Sequence, residues 1–341
     1  MALQNTKYLV RELGAPLIAH ISAKPAVLEA NEVLVQIKSI AINPADYKMI
    51  DQGHRITSWP LVPGLDGAGV VDQVGEAVKR FTVGDRVVAQ FMPGDRSGSY
   101  QTFAAVKEDF VAKIPHAWSF ESAASLGVCY LTAIMALGVG LKSPLPFVEN
   151  GPTSGFTPSS ALILGGSSAL GAATIQLLRL AVPGCKIFTT SSPKHHAHLK
   201  SLGVDRAFPR ESPSLVEDIT SATEESRGVD AIIDVVGAGS TQTNIFNTLD
   251  PAGSKRYAQV WTGDDEIQVP EGVVSVLFRS RDLSQIPGHG NVMKALQKLL
   301  ENGEYKLPLP LRIVGQGLDG LKQGLDIARG GVSGEKLIVN L

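Results

Sequence analysis

Ala161-Leu162-Ile163-Leu164-Gly165-Gly166-Ser167-Ser168-Ala169-Leu170-Gly171 is the stretch on which the reading of this chain turns. Four consecutive apolar residues suit a strand buried on both faces of a parallel sheet. Residues 170–180 then carry Ile175, Leu178 and Leu180 on an apolar helical face. A glycine turn between a strand and a helix is a cradle for a pyrophosphate. The backbone can approach closely, and the helix start offers unpaired N–H groups and a partial positive charge. Gly165, Ser167, Ser168, Ala169 and Leu170 are the candidate contacts, and Gly171 permits close packing of helix against strand. Glycines alone also mark plain turns, so it is the strand–turn–helix setting that points to a dinucleotide.

The alternation continues downstream. Residues 186–190 read as a strand, 194–202 as a helix closed by Gly203, and 230–236 as a later strand. Thr241, Ile245 and Leu249 recur at helical spacing, and 255–260 is again strand-like. Strands alternating with helices predict an α/β fold with a doubly wound parallel sheet. Val236 and Gly237 follow a strand at the carboxyl edge, where ligands bind such sheets.

The end of the second strand discriminates between cofactors. A sheet that binds NAD usually places an acid about 20 residues past the glycines, for the ribose 2′-hydroxyl. Here the segment is Thr189-Thr190-Ser191-Ser192-Pro193-Lys194-His195, with no acid. Ser191, Ser192 and Lys194 suit a 2′-phosphate, which needs donors and no repelling carboxylate, so NADPH is the expected cofactor. Ser192-Pro193 also serves to start a helix. His195, His196 and His198 lack a neighbouring carboxylate or cysteine to complete a metal site and read as an exposed helix start.

Upstream the character differs. Residues 33–37, 69–74 and 85–89 are short β-branched runs punctuated by turns such as Pro63-Gly64 and Gly84-Asp85, which predicts a β-rich domain. Ser119-Phe120-Glu121-Ser122 reads as a helix start, and the Pro- and Gly-rich residues 143–158 as a surface loop. Near the end, Val292, Leu296 and Leu299 mark one helix, and Leu318, Leu321 and Leu325 another.

Composition narrows the function classes. With 341 residues, about two domains are expected. Apolar residues at 44% and charged residues at 19% suit a chain with a real core, and a net charge of −2 gives no pull toward nucleic acid or anionic lipid. The start carries Lys7 and Arg11 without a long apolar stretch, unlike a secretory signal. No run is expected to reach the roughly 18–20 apolar residues of a membrane span, and residues 123–141 read as buried protein. Cys129 and Cys185 alone make neither a disulfide framework nor a zinc site, and suit a reducing, cytoplasmic setting.

Several stretches resemble the medium-chain dehydrogenase/reductase superfamily. They are Asn43-Pro44-Ala45-Asp46-Tyr47-Lys48, Val62-Pro63-Gly64-Leu65-Asp66-Gly67-Ala68-Gly69, Phe81-Thr82-Val83-Gly84-Asp85-Arg86-Val87, Leu131-Thr132-Ala133 and Asp234-Val235-Val236-Gly237. The chain is similar to its zinc-free quinone-reductase branch. Its Gly165-Gly166-Ser167-Ser168-Ala169 turn, Ser192-Pro193-Lys194 and Val332-Ser333-Gly334-Glu335-Lys336 resemble fungal trans-acting enoyl reductases of polyketide pathways. Zinc-dependent relatives carry a cysteine where Asn43 stands, a His-Glu pair where Leu65-Asp66 stand, and often a four-cysteine lobe after the position of Ala89; residues 91–100 here hold no cysteine. Asn43 reads as turn-stabilising rather than catalytic.

The resemblance implies a GroES-like catalytic domain over residues 1–123, completed by 279–341, and an NADP-binding Rossmann domain over 124–278. The strand at 336–339 then returns to the first domain. It implies metal-free hydride addition to a conjugated C=C bond, since the negative charge spreads onto oxygen as an enolate that needs only hydrogen-bond donors. Tyr47, Lys48 and Thr132 are the candidate donors, with Lys48 also a proton source and Thr132 beside the nicotinamide carboxamide. Each has a plainer reading: Lys48 as a solvated charge, Tyr47 as a packed lid. Residues 261–277 are expected to close over the nicotinamide. Quinone reduction and a non-catalytic NADPH-binding sensor or accessory role are the alternatives. The expected substrate is a small or carrier-bound unsaturated acyl compound, a polyketide synthase being the partner the resemblance suggests. Neither nucleic acid nor membrane is an expected partner, and the resemblance fits a monomer or a homodimer.

Overall fold

The β-branched runs near the start fold as antiparallel strands in the computed structural model, which describes residues 4–263 and 266–341. Residues 1–3, and Asp264 and Asp265 of the expected closing segment, lie outside the described residues. The chain divides into two units, Met1–Val128 with Leu296–Leu341, and Cys129–Ala295. The borders expected from the resemblance were at 123/124 and 278/279.

In the first unit, β1 (Gln4–Leu9) and β2 (Ile18–Ala23) form an antiparallel pair. β3 (Glu32–Ala41) follows, and helix α1 (Pro44–Gln52) begins just beyond it. Next come β4 (Asp66–Val74), β5 (Arg86–Gln90), β6 (Phe103–Lys107) and β7 (Val111–Lys113). Helix α2 (Phe120–Ala124) starts where the sequence predicts: Ser119 Oγ accepts the Ser122 N–H at 3.1 Å. Helix α3 (Gly127–Met135) leads on into the second unit.

That unit is built on six parallel strands, β8 (Ser160–Leu164), β9 (Lys186–Ser191), β10 (Arg206–Pro209), β11 (Ala231–Asp234), β12 (Arg256–Val260) and β13 (Val274–Phe278), in spatial order β10-β9-β8-β11-β12-β13. Every residue of β8 is buried, which is why it reads as an unbroken apolar run. Helices α4 (Ala169–Ala181), α5 (His196–Ser201) and α6 (Leu215–Thr220) connect the first of these strands.

Helix α7 (Val292–Glu301) precedes β14 (Leu311–Gln316), α8 (Gly317–Arg329) and β15 (Lys336–Asn340). β15 pairs antiparallel with β3, completing the first unit's sheet in the order β14-β15-β3-β4-β5-β7, with β6 also on β3. Val35, Ile37 and Ile40 of β3 pack with Val87, Leu321 and Val339 in its core. Each such side chain contributes about 1.5–3 kcal/mol by leaving water.

Two sequence expectations change. The helix predicted from Thr241, Ile245 and Leu249 is instead a pair of 3-10 turns, Ala238–Ser240 and Thr243–Thr248. The side chain of Asp234 draws the Ala238 and Gly239 amides back toward β11 and tightens the chain there, while Ile245 and Leu249 still bury in the core. Second, one helical stretch, Phe120–Leu141, has the length and apolar composition of a membrane span; 78% of its most apolar window is buried within the protein, in keeping with a core helix.

Candidate active site

β8 runs directly into the glycine turn. Gly165 has φ +81°, a left-handed conformation that side chains disfavour, and its N–H donates to Thr190 Oγ1 at 3.3 Å. The Gly166 N–H donates to Thr190 O at 3.1 Å, so the turn is stitched to the end of β9. A β-carbon on Gly166 would collide with the Thr189 hydroxyl, and one on Gly171 with the Gly165 carbonyl. Gly171 therefore packs on the turn itself. Ser168 caps α4, its Oγ accepting the Gly171 N–H at 3.0 Å. The amides of Ala169 and Leu170, next in line, have no intrahelical acceptor. Close backbone approach and outward N–H donors at a helix start fit a pyrophosphate.

The end of β9 supplies less hydroxyl than its sequence suggests. Thr189 Oγ1 donates to Ile163 O at 2.7 Å, and Thr190 Oγ1 is engaged by Gly165. Ser191 is buried and donates to Ser192 O at 3.2 Å. Ser192 is half-buried and Lys194 exposed in the 3-10 turn Pro193–His195. A second cation stands close by. The pairing of Pro209 with Ser191 brings Arg210 to this edge, where its N–H donates to Ser191 O at 3.2 Å. Its exposed guanidinium lies 3.4 Å from Glu211. Sequence reading missed Arg210 because only strand pairing makes it a neighbour of Ser191. Burial and then the charges of Lys194, His198 and His196 hold His195 below the usual imidazole pKa.

β11 ends in a buried anchor. Both oxygens of Asp234 accept: Oδ1 from the Val236 and Ala238 amides at 3.1 and 3.0 Å, Oδ2 from the Gly239 amide at 2.8 Å and the Tyr257 hydroxyl at 2.7 Å. Four bonds to one carboxylate fix the turn that bears Val236, 49% exposed, and Gly237, at φ +72°. Asp234 was quoted in the sequence only as part of a motif; its anchoring role needs the fold.

In the first unit, Tyr47 and Lys48 lie on α1, both half-buried, with Tyr47 packed against the core. Their helix starts at Asn43, whose N–H donates to Asp46 Oδ2 at 2.8 Å. Tyr100 OH reaches the same oxygen at 3.2 Å. Asp46 is fully buried, and desolvation raises its pKa to about 7. Thr132 belongs to the second unit, half-buried on α3. Asn43 and Asp66, which stand where zinc-dependent relatives place ligands, hydrogen-bond to each other at 3.0 Å. Among the described residues no group of three or more His, Cys, Asp and Glu side chains could hold a metal ion.

Comparison with known proteins accords with this geometry. Residues 29–116 match the alcohol dehydrogenase GroES-like domain, and residues 169–302 the zinc-binding dehydrogenase domain. The trans-enoyl reductase RAP1 of Pyricularia oryzae is 32% identical over 342 residues, covering 92% of each chain. The chain belongs to the medium-chain dehydrogenase/reductase superfamily. It is an oxidoreductase of the zinc-independent branch, with a dinucleotide-binding Rossmann sheet and a GroES-like domain. Two solved structures share its fold. The CurK enoyl reductase has a TM-score of 0.78 at 24% identity, covering 98% of this chain and 99% of that one. The quinone oxidoreductase from Coxiella burnetii has 0.73 at 22%, covering 99% and 100%. At such identities the likeness is one of fold.

Proposed function

We propose that this member of the superfamily reduces a conjugated C=C bond with NADPH and without metal. The observation that carries the choice of cofactor is the β9 edge: Ser192, Lys194 and Arg210 stand beyond the glycine turn, and residues 189–195 hold no ribose-binding acid. A 2′-phosphate gains charge-assisted hydrogen bonds there.

When bound, the nicotinamide supplies the hydride. The protein's part is to hold the acceptor in line and stabilise the developing enolate, which asks for donors rather than a Lewis acid. Tyr47 and Lys48 are assigned to that oxygen, with Lys48 also returning a proton, and Thr132 to the carboxamide of the nicotinamide. Ser167, Ala169 and Leu170 are assigned to the pyrophosphate, and Val236 and Gly237 to the nicotinamide side. The substrate class is an unsaturated acyl compound, small or carried on a synthase, by analogy with relatives named trans-enoyl reductases.

Steady-state oxidation of NADPH against enones, unsaturated thioesters and quinones tests the reading. Turnover of enones or thioesters, with NADPH preferred over NADH, is expected. Turnover of quinones alone would replace the C=C assignment, and tight cofactor binding with no acceptor would make the protein a sensor.

A further inference from the structure

Lys336 opens the C-terminal strand and is only 6% exposed. Its Nζ donates to Asn43 Oδ1 at 2.6 Å and pairs with Asp66 Oδ2 at 3.5 Å. Asn43 Nδ2 donates to that same Asp66 oxygen at 3.0 Å. The carboxamide thus lies between a cation and an anion, oxygen toward the ammonium and nitrogen toward the carboxylate. Flipping it would set like against like at both ends. Asp66 is held in turn by the Val128 N–H on its other oxygen, at 2.7 Å.

Buried ion pairs are poor sources of stability, because desolvation offsets most of their attraction and apolar replacements often serve as well. What this one supplies is orientation. Asn43 is the residue from which α1 starts, its N–H is bound by Asp46, and Tyr47 and Lys48 come next. A rigid Asn43 therefore sets the azimuth of the first helical turn.

We propose that Lys336 is a positioning residue of the reaction: through Asn43 and Asp66 it fixes the helix that presents Tyr47 and Lys48. This rests on the donor roles given to those two residues above. It assigns a functional part to the last strand of the chain, far in sequence from every candidate contact.

Two changes in the intact protein test it. Lys336→Met combined with Asp66→Asn removes both charges of the ion pair together, and Asn43→Ala breaks the link while sparing that pair. Hydrogen exchange of the 45–52 amides is expected to quicken about tenfold in both, with α4 unchanged. Enone turnover is expected to fall roughly ten- to a hundredfold in kcat, with substrate KM and NADPH affinity held within about threefold. Lys336→Arg, which keeps the cation and its donors, should restore most of kcat. Unchanged exchange at 45–52 in either variant that folds overturns the proposal. So does a loss of NADPH affinity as large as the loss of kcat. If the wild-type chain reduces no acceptor, the functional reading fails and the reaction role of Lys336 with it, and faster exchange then shows only that Lys336 orders the helix.

Discussion

Val236 packs directly over Gly165: a β-carbon on Gly165 would stand 2.5 Å from Val236 Cγ1. The turn after β8 and the turn after β11 are thereby locked together at the carboxyl edge of the second unit's sheet. Gly165 also needs its left-handed φ of +81°. Gly165→Ala is expected to lower stability by about 1–3 kcal/mol in urea unfolding. NADPH affinity should drop at least about tenfold, measured by fluorescence titration. Normal affinity would show that the two turns tolerate separation.

Asp234 gives a second prediction in the same unit. Asp234→Ala leaves the buried Gly239 amide and Tyr257 hydroxyl without their acceptor, at about 1–3 kcal/mol each, and two part-buried amides besides, so a stability loss of at least about 3 kcal/mol is expected. Tyr257→Phe removes one bond to the carboxylate and should cost about 1.5–3 kcal/mol. Burial and the adjacent Asp234 push the Tyr257 phenol above its usual pKa, so it is a donor to the carboxylate at neutral pH. Equal losses in the two variants would show that the amides find other partners.

Cofactor choice should rest on Lys194 and Arg210. Removing either cation is expected to raise KM for NADPH by about ten- to a hundredfold, the worth of one charge-assisted bond, and to leave KM for NADH unchanged. Parallel initial-rate series with both coenzymes measure this. An equal rise for both would place these cations outside the ribose site.

Asp46 makes stability depend on pH. Its folded pKa of about 7 lies above the unfolded value of 3.8, raised first by burial and then by Asp66, and opposed by the Asn43 amide, Lys336 and Tyr100. The folded state binds the extra proton, so this contribution is complete below the unfolded pKa and fades as pH rises through about 7. Asp46→Asn mimics the protonated side chain. Its stability relative to wild type should climb between pH 5 and pH 8, followed by urea midpoints across that range. A flat difference would mean that Asp46 stays ionised in the fold.

Much of the fold was legible because its signals are local. Ser119 announced a helix cap, the run 161–164 a buried strand, and Gly165-Gly166 the turn that joins it to α4. The same locality explains the misses. Residues 241–249 have helical spacing, yet they follow a turn at 238–240 that Asp234 anchors and fold as the 3-10 turn Thr243–Thr248, which no periodicity reveals. Arg210 reaches Ser191 only through the pairing of β9 with β10. Lys336 reaches Asn43 only because β15 closes on β3, across 293 positions of chain. The Ser191 hydroxyl, which the sequence offers to the phosphate, is buried and donates to Ser192 O within the fold. Chemistry carried by one segment could be read directly; chemistry assembled by sheet pairing could not.

The most direct test follows a single label. NADPH deuterated at C4 of the nicotinamide is mixed with the chelator-treated protein and a conjugated enone, and the product is examined by NMR. Metal-free conjugate reduction predicts an intact carbonyl with deuterium on the β-carbon, formed at the untreated rate. Deuterium on the carbonyl carbon, or a reaction abolished by the chelator and restored by zinc, would contradict it.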